Sequence, residues 1–221
     1  MLAMKRNALI GLGMLVVCGA PILAQQAEQP PQKPGAADLS RITGGTYKVD
    51  NEHTMVRWQV DHLGVTPYFG VFGQITGNLT LDPLKPETAS VDVTIPIAKV
   101  LTASPGLTAH LLKDPEKPAT KPDFFGASPV DARFVSTSVV RGSGKHDARI
   151  AGNLTLNGVT RPVVLDAKFY GAAKLPPQMG GQEAIGFEAE TEIKRSDFRI
   201  STGIPFVSDE VELDIVAAFV K

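Results

Sequence analysis

The stretch 53–62, "HTMVRWQVDH", sets the period on which the whole chain is built. Its even positions hold Thr54, Val56, Trp58, Val60 and His62; its odd positions hold Met55, Arg57, Gln59 and Asp61. One set is largely apolar and the other mostly polar. Successive side chains of an extended backbone point to opposite faces, so this alternation predicts a strand with one buried side.

The same period returns along the chain. In "SVDVTIP" (90–96), Val91, Val93 and Ile95 oppose Asp92 and Thr94. In "AIGFEAETEIKR" (184–195), Ile185, Phe187, Ala189 and Ile193 share a face opposite Glu188, Glu190 and Glu192. The closing "EVELDIVAAFVK" (210–221) sets Val211, Leu213, Ile215, Ala217 and Phe219 on one side. Further strands are expected near 67–81, 132–140, 146–157 and 162–170, about eight or nine in all, separated by turn signals. Only "PIAKVLTASPGLTAHLLKD" (96–114) breaks the rhythm, and it predicts one or two short helical turns. Without strand–helix alternation there is no parallel sheet to build, so the fold class is all-β and antiparallel. About eight such strands must close into a barrel or pack as two sheets to protect their edges.

One pentapeptide, Gly-Asn-Leu-Thr-Leu, occurs twice, at 77–81 and 152–156. Each copy puts two leucines on one face and runs into turn chemistry, Asp82-Pro83 in the first and Asn157-Gly158 in the second. Asn-Gly between alternating segments is a hairpin signal. The flanks do not align, so both copies read as strands ending at hairpins rather than as a duplicated half.

The chain opens with Lys5 and Arg6 followed by an apolar run to Ala24, which predicts a signal peptide over 1–24. Gly and Pro interrupt that run, against a membrane span of about 20 residues, and cleavage would leave no stable membrane anchor. Cleavage would also remove the only cysteine, Cys18, and leave 20 basic against 23 acidic side chains, a net charge of −3. That balance gives no reason to bind nucleic acid, and a cysteine-free exported chain relies on its core rather than on disulfides. Residues 25–44 are rich in Pro and Gln and read as a flexible spacer. What remains, 45–221, suits one domain.

The motifs of catalysis are absent: no G-x-S-x-G, Walker loop, C-x-x-C or H-E-x-x-H occurs. No catalytic residue, cofactor or metal site is therefore assigned. Two polar residues stand out by parity. His62 continues the apolar face of Val56, Trp58 and Val60, and Arg195 that of Ile185, Phe187, Ala189 and Ile193. A charged Arg facing an apolar interior needs a partner. It could meet the polar head of a ligand, or close an internal salt bridge, for instance with Asp197. The aromatics Trp58, Phe69, Phe72, Phe124, Phe125, Phe187 and Phe219 could line a pocket or fill a core. A barrel of about eight strands either packs its interior or holds one small ligand.

Taken in order, "YKVDNEHTMVRWQVDHLG" (47–64), "GVFGQITGNLTLD" (70–82), "KPDFFGA" (121–127), "ARFVSTSV" (132–139), "GNLTLNGVTRPV" (152–163) and "GFEAETEIKRSDFRI" (186–200) resemble the YceI-like family of exported, lipocalin-like, polyisoprenoid-binding proteins. The resemblance implies an antiparallel barrel around a long hydrophobic tunnel, with a helical insertion near one opening, here about 101–126. It implies a periplasmic carrier or scavenger of an isoprenoid-like lipid or a quinone-type ligand. The tail contacts are then expected at Trp58, Val60, Phe72, Phe124, Phe125, Phe187 and Phe219, and the head-group contacts at His62 and Arg195. Two departures bear on the head group: Arg199 stands where the family commonly has Gly, and "FFG" replaces Phe-Phe-Asp. Two other functions stay open on sequence: a lipid-acting hydrolase or isomerase with His62 as general base, and a packed β module that binds a protein partner. The chain is compatible with a homodimer as well as a monomer.

Overall fold

Ten strands form a single sheet: β1 (Gly45–Val49), β2 (Met55–His62), β3 (Thr66–Phe72), β4 (Thr76–Leu81), β5 (Ser90–Ile95), β6 (Ala132–Arg141), β7 (Asp147–Leu156), β8 (Val159–Lys174), β9 (Glu183–Lys194) and β10 (Glu210–Val220). The computed structural model describes residues 32–117 and 120–221. The expected signal peptide and residues 25–31 of the expected spacer lie outside the described residues.

Every pairing is antiparallel, and the order runs β1-β4-β5-β6-β7-β8-β9-β10 and back to β1. β2 and β3 extend two walls of this closed eight-strand barrel. β10 pairs with β1 at Phe219 and Val220, then with β2 from Val216 to Glu212, so β1 and β2 follow one another along the same edge. Thr54 bridges the break between them. Its hydroxyl accepts from the Ala218 N–H (3.0 Å), which the ladder leaves unpaired, and donates to the Ala218 carbonyl (3.1 Å), which also accepts from the Asp50 N–H (2.9 Å). Closure pairs the strands that an open sheet would leave exposed, as the antiparallel pattern requires.

The turns form where the residues permit them. Asn157 and Gly158 take φ values of 50° and 71°, the two left-handed positions of a type I′ hairpin turn. The repeated pentapeptide meets the same steric demand in both places. A side chain at Gly77 would strike the Asp92 carbonyl and Val93 Cα, and one at Gly152 would strike the Phe134 ring and the Val135 carbonyl. In each copy the glycine admits the neighbouring strand, while the following asparagine, Asn78 or Asn153, faces out.

Between β5 and β6 lie a 3-10 turn, Ile97–Lys99, and the one α-helix among the described residues, α1 (Pro105–Leu111). Ser104 caps α1 by accepting from the Leu107 N–H at 3.3 Å, and Pro105 starts it with a pre-set φ. This insertion sits at the end of the barrel that also carries the β2–β3 turn, the β7–β8 turn and the 195–209 connection.

The opposite end is plugged. Tyr47, fully buried, packs with Ile42, Leu79, Leu81, Phe169, Ala172, Ile185 and Phe219. Its hydroxyl donates to Glu183 at 2.6 Å and accepts from the Gly44 N–H at 3.0 Å. Thr43 donates to the same carboxylate through its N–H (3.0 Å) and its hydroxyl (2.7 Å). Burial alone would raise the Glu183 pKa, but these donors outweigh it and hold the carboxyl below its ordinary value. Burial, followed by the Glu183 carboxylate, pushes the Tyr47 hydroxyl up.

The stretch expected to be a flexible spacer is therefore corrected from Lys33 onward, where the chain joins the barrel unit. Ala36 exchanges backbone bonds with Ala172 (3.1 and 2.9 Å), Ile42 is buried, and Arg41 donates to the Pro34 carbonyl. β8 outruns its neighbour β7, leaving an unpaired edge at Ala172 that the N-terminal segment covers.

Candidate functional site

The barrel is hollow. A cavity of about 710 Å³ runs inside it, within the size range of small-molecule sites. Its wall is the inward set that alternation marked: Val56, Trp58 and Val60 from β2; Val91, Val93 and Ile95 from β5; Phe187, Ala189 and Ile193 from β9; Leu213, Ile215 and Ala217 from β10. Glu188, Glu190 and Glu192 of β9 face solvent.

All seven residues expected to contact a lipid tail line the cavity: Trp58, Val60, Phe72, Phe124, Phe125, Phe187 and Phe219. They fall into separate groups. Phe124 and Phe125 come from the insertion, where the Phe125 N–H donates to the Leu111 carbonyl at 3.0 Å. Phe125 meets Phe72 edge-on with centroids 6.1 Å apart, and Phe124 meets His110 at 5.3 Å. Toward the plugged end Phe169, Phe187 and Phe219 form an edge-to-face ladder with spacings of 5.7 and 6.1 Å, the geometry aromatic quadrupoles favour.

Phe69 does not belong with them. It lies on the outer face, 54% exposed, with the Arg57 guanidinium 5.6 Å above its ring. The parity of β3 decides this, because Phe72 inward requires Gly70 and Tyr68 inward and Phe69 outward. Gly70 is needed there: a side chain would strike the Trp58 ring and the Leu101 carbonyl.

The two expected head-group residues fare differently. His62 is exposed and lines the mouth beside Val207, to which its backbone is bridged. His110, Thr202 and Gly203, also exposed, complete that rim. Arg195 is 5% exposed and lies just past the end of β9. It lines the cavity but does not pair with Asp197. Its Nε donates to the Ser208 carbonyl (2.8 Å), Nη1 to those of Ile200 (3.2 Å) and Thr202 (2.9 Å), and Nη2 to that of Val207 (2.9 Å). Four of its N–H···O bonds thus brace the loop that shapes the mouth, while the residue also borders the cavity. Burial lowers the guanidinium pKa and nearby Asp209 opposes that fall. Arg199 takes φ 63° in this loop, a left-handed conformation that glycine adopts freely and arginine seldom does.

Sequence reasoning missed several wall residues. Tyr68, Phe134, His146 and Phe169 all line the cavity. The parity of β3 would have found Tyr68, and that of the strand expected over 146–157 would have found His146, in phase with Ala148 and Ile150. The Trp58 indole N–H, the Tyr68 hydroxyl and His146 Nε2 are buried polar atoms with no hydrogen-bond partner among the described residues. Trp58 and Tyr68 lie together, with centroids 6.4 Å apart. Among the described residues no three His, Cys, Asp or Glu side chains gather to hold a metal, and no helix is long and apolar enough to cross a membrane.

Residues 47–219 match the family described as YceI-like domain. The Protein YceI of Salmonella arizonae is 40% identical over 172 residues, covering 76% of this chain and 83% of that protein. The crystal structure of the Campylobacter jejuni YCEI protein superposes with a TM-score of 0.60 at 32% identity, over 73% of this chain and 89% of that one. A polyisoprenoid binding domain from Saccharophagus degradans, implicated in plant cell wall breakdown, shares the fold with a TM-score of 0.52 at 16% identity, over 79% of this chain and 97% of its own. With a closed antiparallel barrel, an insertion at one end and a match over nearly the whole described domain, this chain belongs to the YceI-like family.

Proposed function

We propose that this protein binds a long isoprenoid-like lipid or quinone-type molecule inside its barrel and carries or scavenges it in the periplasm after export. The observation that carries this reading is the cavity of about 710 Å³ with an almost wholly apolar wall. Each methylene taken out of water contributes about 0.8 kcal/mol, so a long chain binds such a lumen with little polar recognition. The closed ladder presents no free backbone edge to the guest, which suits a hydrocarbon. The fold shared with the Saccharophagus degradans domain is compatible with a guest of this class.

In this reading the tail runs along Trp58, Val60, Phe72, Phe124, Phe125, Phe187 and Phe219. Its polar end lies at the rim near His62, in a mouth held open by the Arg195 brace. Protein purified without detergent should release such a lipid into organic solvent, at close to one molecule per chain by mass spectrometry. Trp58, the only tryptophan, lines the lumen and should report uptake of an added polyprenol by its fluorescence. An empty protein that also leaves Trp58 fluorescence unmoved by polyprenol would refute the proposal.

A further inference from the structure

We infer that the β2–β3 turn and the facing loop dip into the surface of a lipid bilayer, so that the barrel loads its guest while touching the membrane. The inference rests on the lipid-binding reading and adds where the lipid comes from.

Leu63, Val65 and Phe206 are 56%, 80% and 67% exposed. They form one tip. The Leu63 N–H donates to the Phe206 carbonyl at 2.7 Å, His62 is bridged to Val207, and the Ser208 N–H donates to the Asp61 carbonyl at 3.0 Å. The tip adjoins the mouth, because His62 and Val207, the chain neighbours of Leu63 and Phe206, line the cavity. Val207, next in the chain to Phe206, is the apolar link between the tip and the lumen.

The local backbone gives no reason for an apolar residue at the tip. Leu63 and Gly64 take φ values of 66° and 65°, and the Val65 N–H donates to the His62 carbonyl at 3.2 Å, which makes a type I′ turn. Its first central position favours Asn, Asp or Gly. Leucine there sacrifices turn fit and packs against little, yet it displays its side chain outward. Of the other exposed apolar residues, Leu84, Val140 and Met179 stand singly on separate elements at the other end, and Leu101 and Val130 stand apart from one another in the β5–β6 insertion.

The size of the tip selects its partner. Three side chains offer a few hundred Å², well short of the roughly 800 Å² per partner that a stable protein interface buries. A bilayer requires no shaped counter-surface, only apolar side chains that reach the acyl boundary. The net charge of −3 left after removal of Lys5 and Arg6 with the expected signal peptide gives no attraction to anionic lipid, so contact should be hydrophobic and insensitive to salt.

The test measures uptake of a pyrene-tagged polyprenol by energy transfer from Trp58, delivered either from phosphatidylcholine vesicles or from methyl-β-cyclodextrin. For the full-length wild type, uptake from vesicles should quicken with vesicle concentration. Leu63→Asn combined with Phe206→Ser should slow vesicle uptake by ~10-fold or more, while uptake from cyclodextrin stays unchanged. Leu63→Asn alone should melt no lower than the parent, because Asn suits the turn, and should still slow vesicle uptake. Wild-type vesicle rates in the double variant would overturn the docking while leaving lipid binding intact. Equal slowing from both donors would also overturn it, by placing the tip in the binding site itself. No uptake by the wild type from either donor would instead remove the lipid-binding reading, and the docking with it.

Discussion

Ala189 faces the lumen between Ala167 on β8 and Ile215 on β10, and around it the difference between a hollow and a filled barrel becomes measurable. A larger side chain forced into a filled core costs about 1–3 kcal/mol. Here Ala189→Phe should melt within a few degrees of the parent and retain markedly less extracted lipid, because the ring would enter existing space. A large loss of stability would mean that the interior is packed. Arg195 makes the opposite case. Arg195→Leu strands the carbonyls of Ile200, Thr202, Val207 and Ser208 in a partly buried loop and should cost about 3 kcal/mol in urea unfolding. Arg195→Lys should recover only part of that, since an ammonium cannot reproduce the planar fork. The inward position of Arg195 was legible from parity, but its partners were not. They lie 5 to 13 residues further along the chain, in a loop whose path no periodicity describes.

Among the elements, hairpins and strand faces were the most legible. Asn157-Gly158 announced a type I′ turn, and the structure adds a tertiary contact, since the Asn157 side-chain N–H donates to the Phe198 carbonyl at 3.0 Å. Asn157→Ala should cost about 1–2 kcal/mol by thermal melting, part from a left-handed alanine and part from the lost bond. Asn157→Gly should restore the turn but not the bond, and so fall between the two. The division of one barrel wall into β1 and β2 was not legible. The interruption over 50–54 is tolerated because Thr54 bonds Ala218, which is 164 residues away. Phe69 was misread for a simpler reason: hydrophobic character was counted there without strand phase. Exposed on β3, it rests on Arg57 instead.

At the scale of the whole molecule, the plugged end ties both termini of the barrel together. Lys221 donates to the Thr43 hydroxyl at 2.7 Å, and Glu183 gathers donors from Thr43 and Tyr47. The folded Glu183 pKa lies below its ordinary value of 4.5. Its contribution to stability is therefore complete above that value and is lost as pH falls toward and through the folded pKa. Melting temperature should drop from about pH 4.5 downward. Glu183→Gln should be less stable at neutral pH and should flatten this acid limb, as calorimetry across the range would show. An acid limb identical in the variant would assign it to other carboxylates. One plugged end and one open end also give the lumen a direction, and the proposed function has the guest enter by the rim of His62, His110, Thr202 and Gly203.

By itself the sequence determined the strands, their phases, the principal turn and the antiparallel class. Each of these follows from chemistry repeated every two residues or concentrated in a dipeptide. Tertiary structure decided whether the inward side chains meet. A void is what remains after eight walls take their curvature and register, and no local pattern encodes that remainder. It also decided that Arg195 braces a loop and that residues 33–44 cover an edge, because both depend on backbone groups left unpaired by strands far away in the chain.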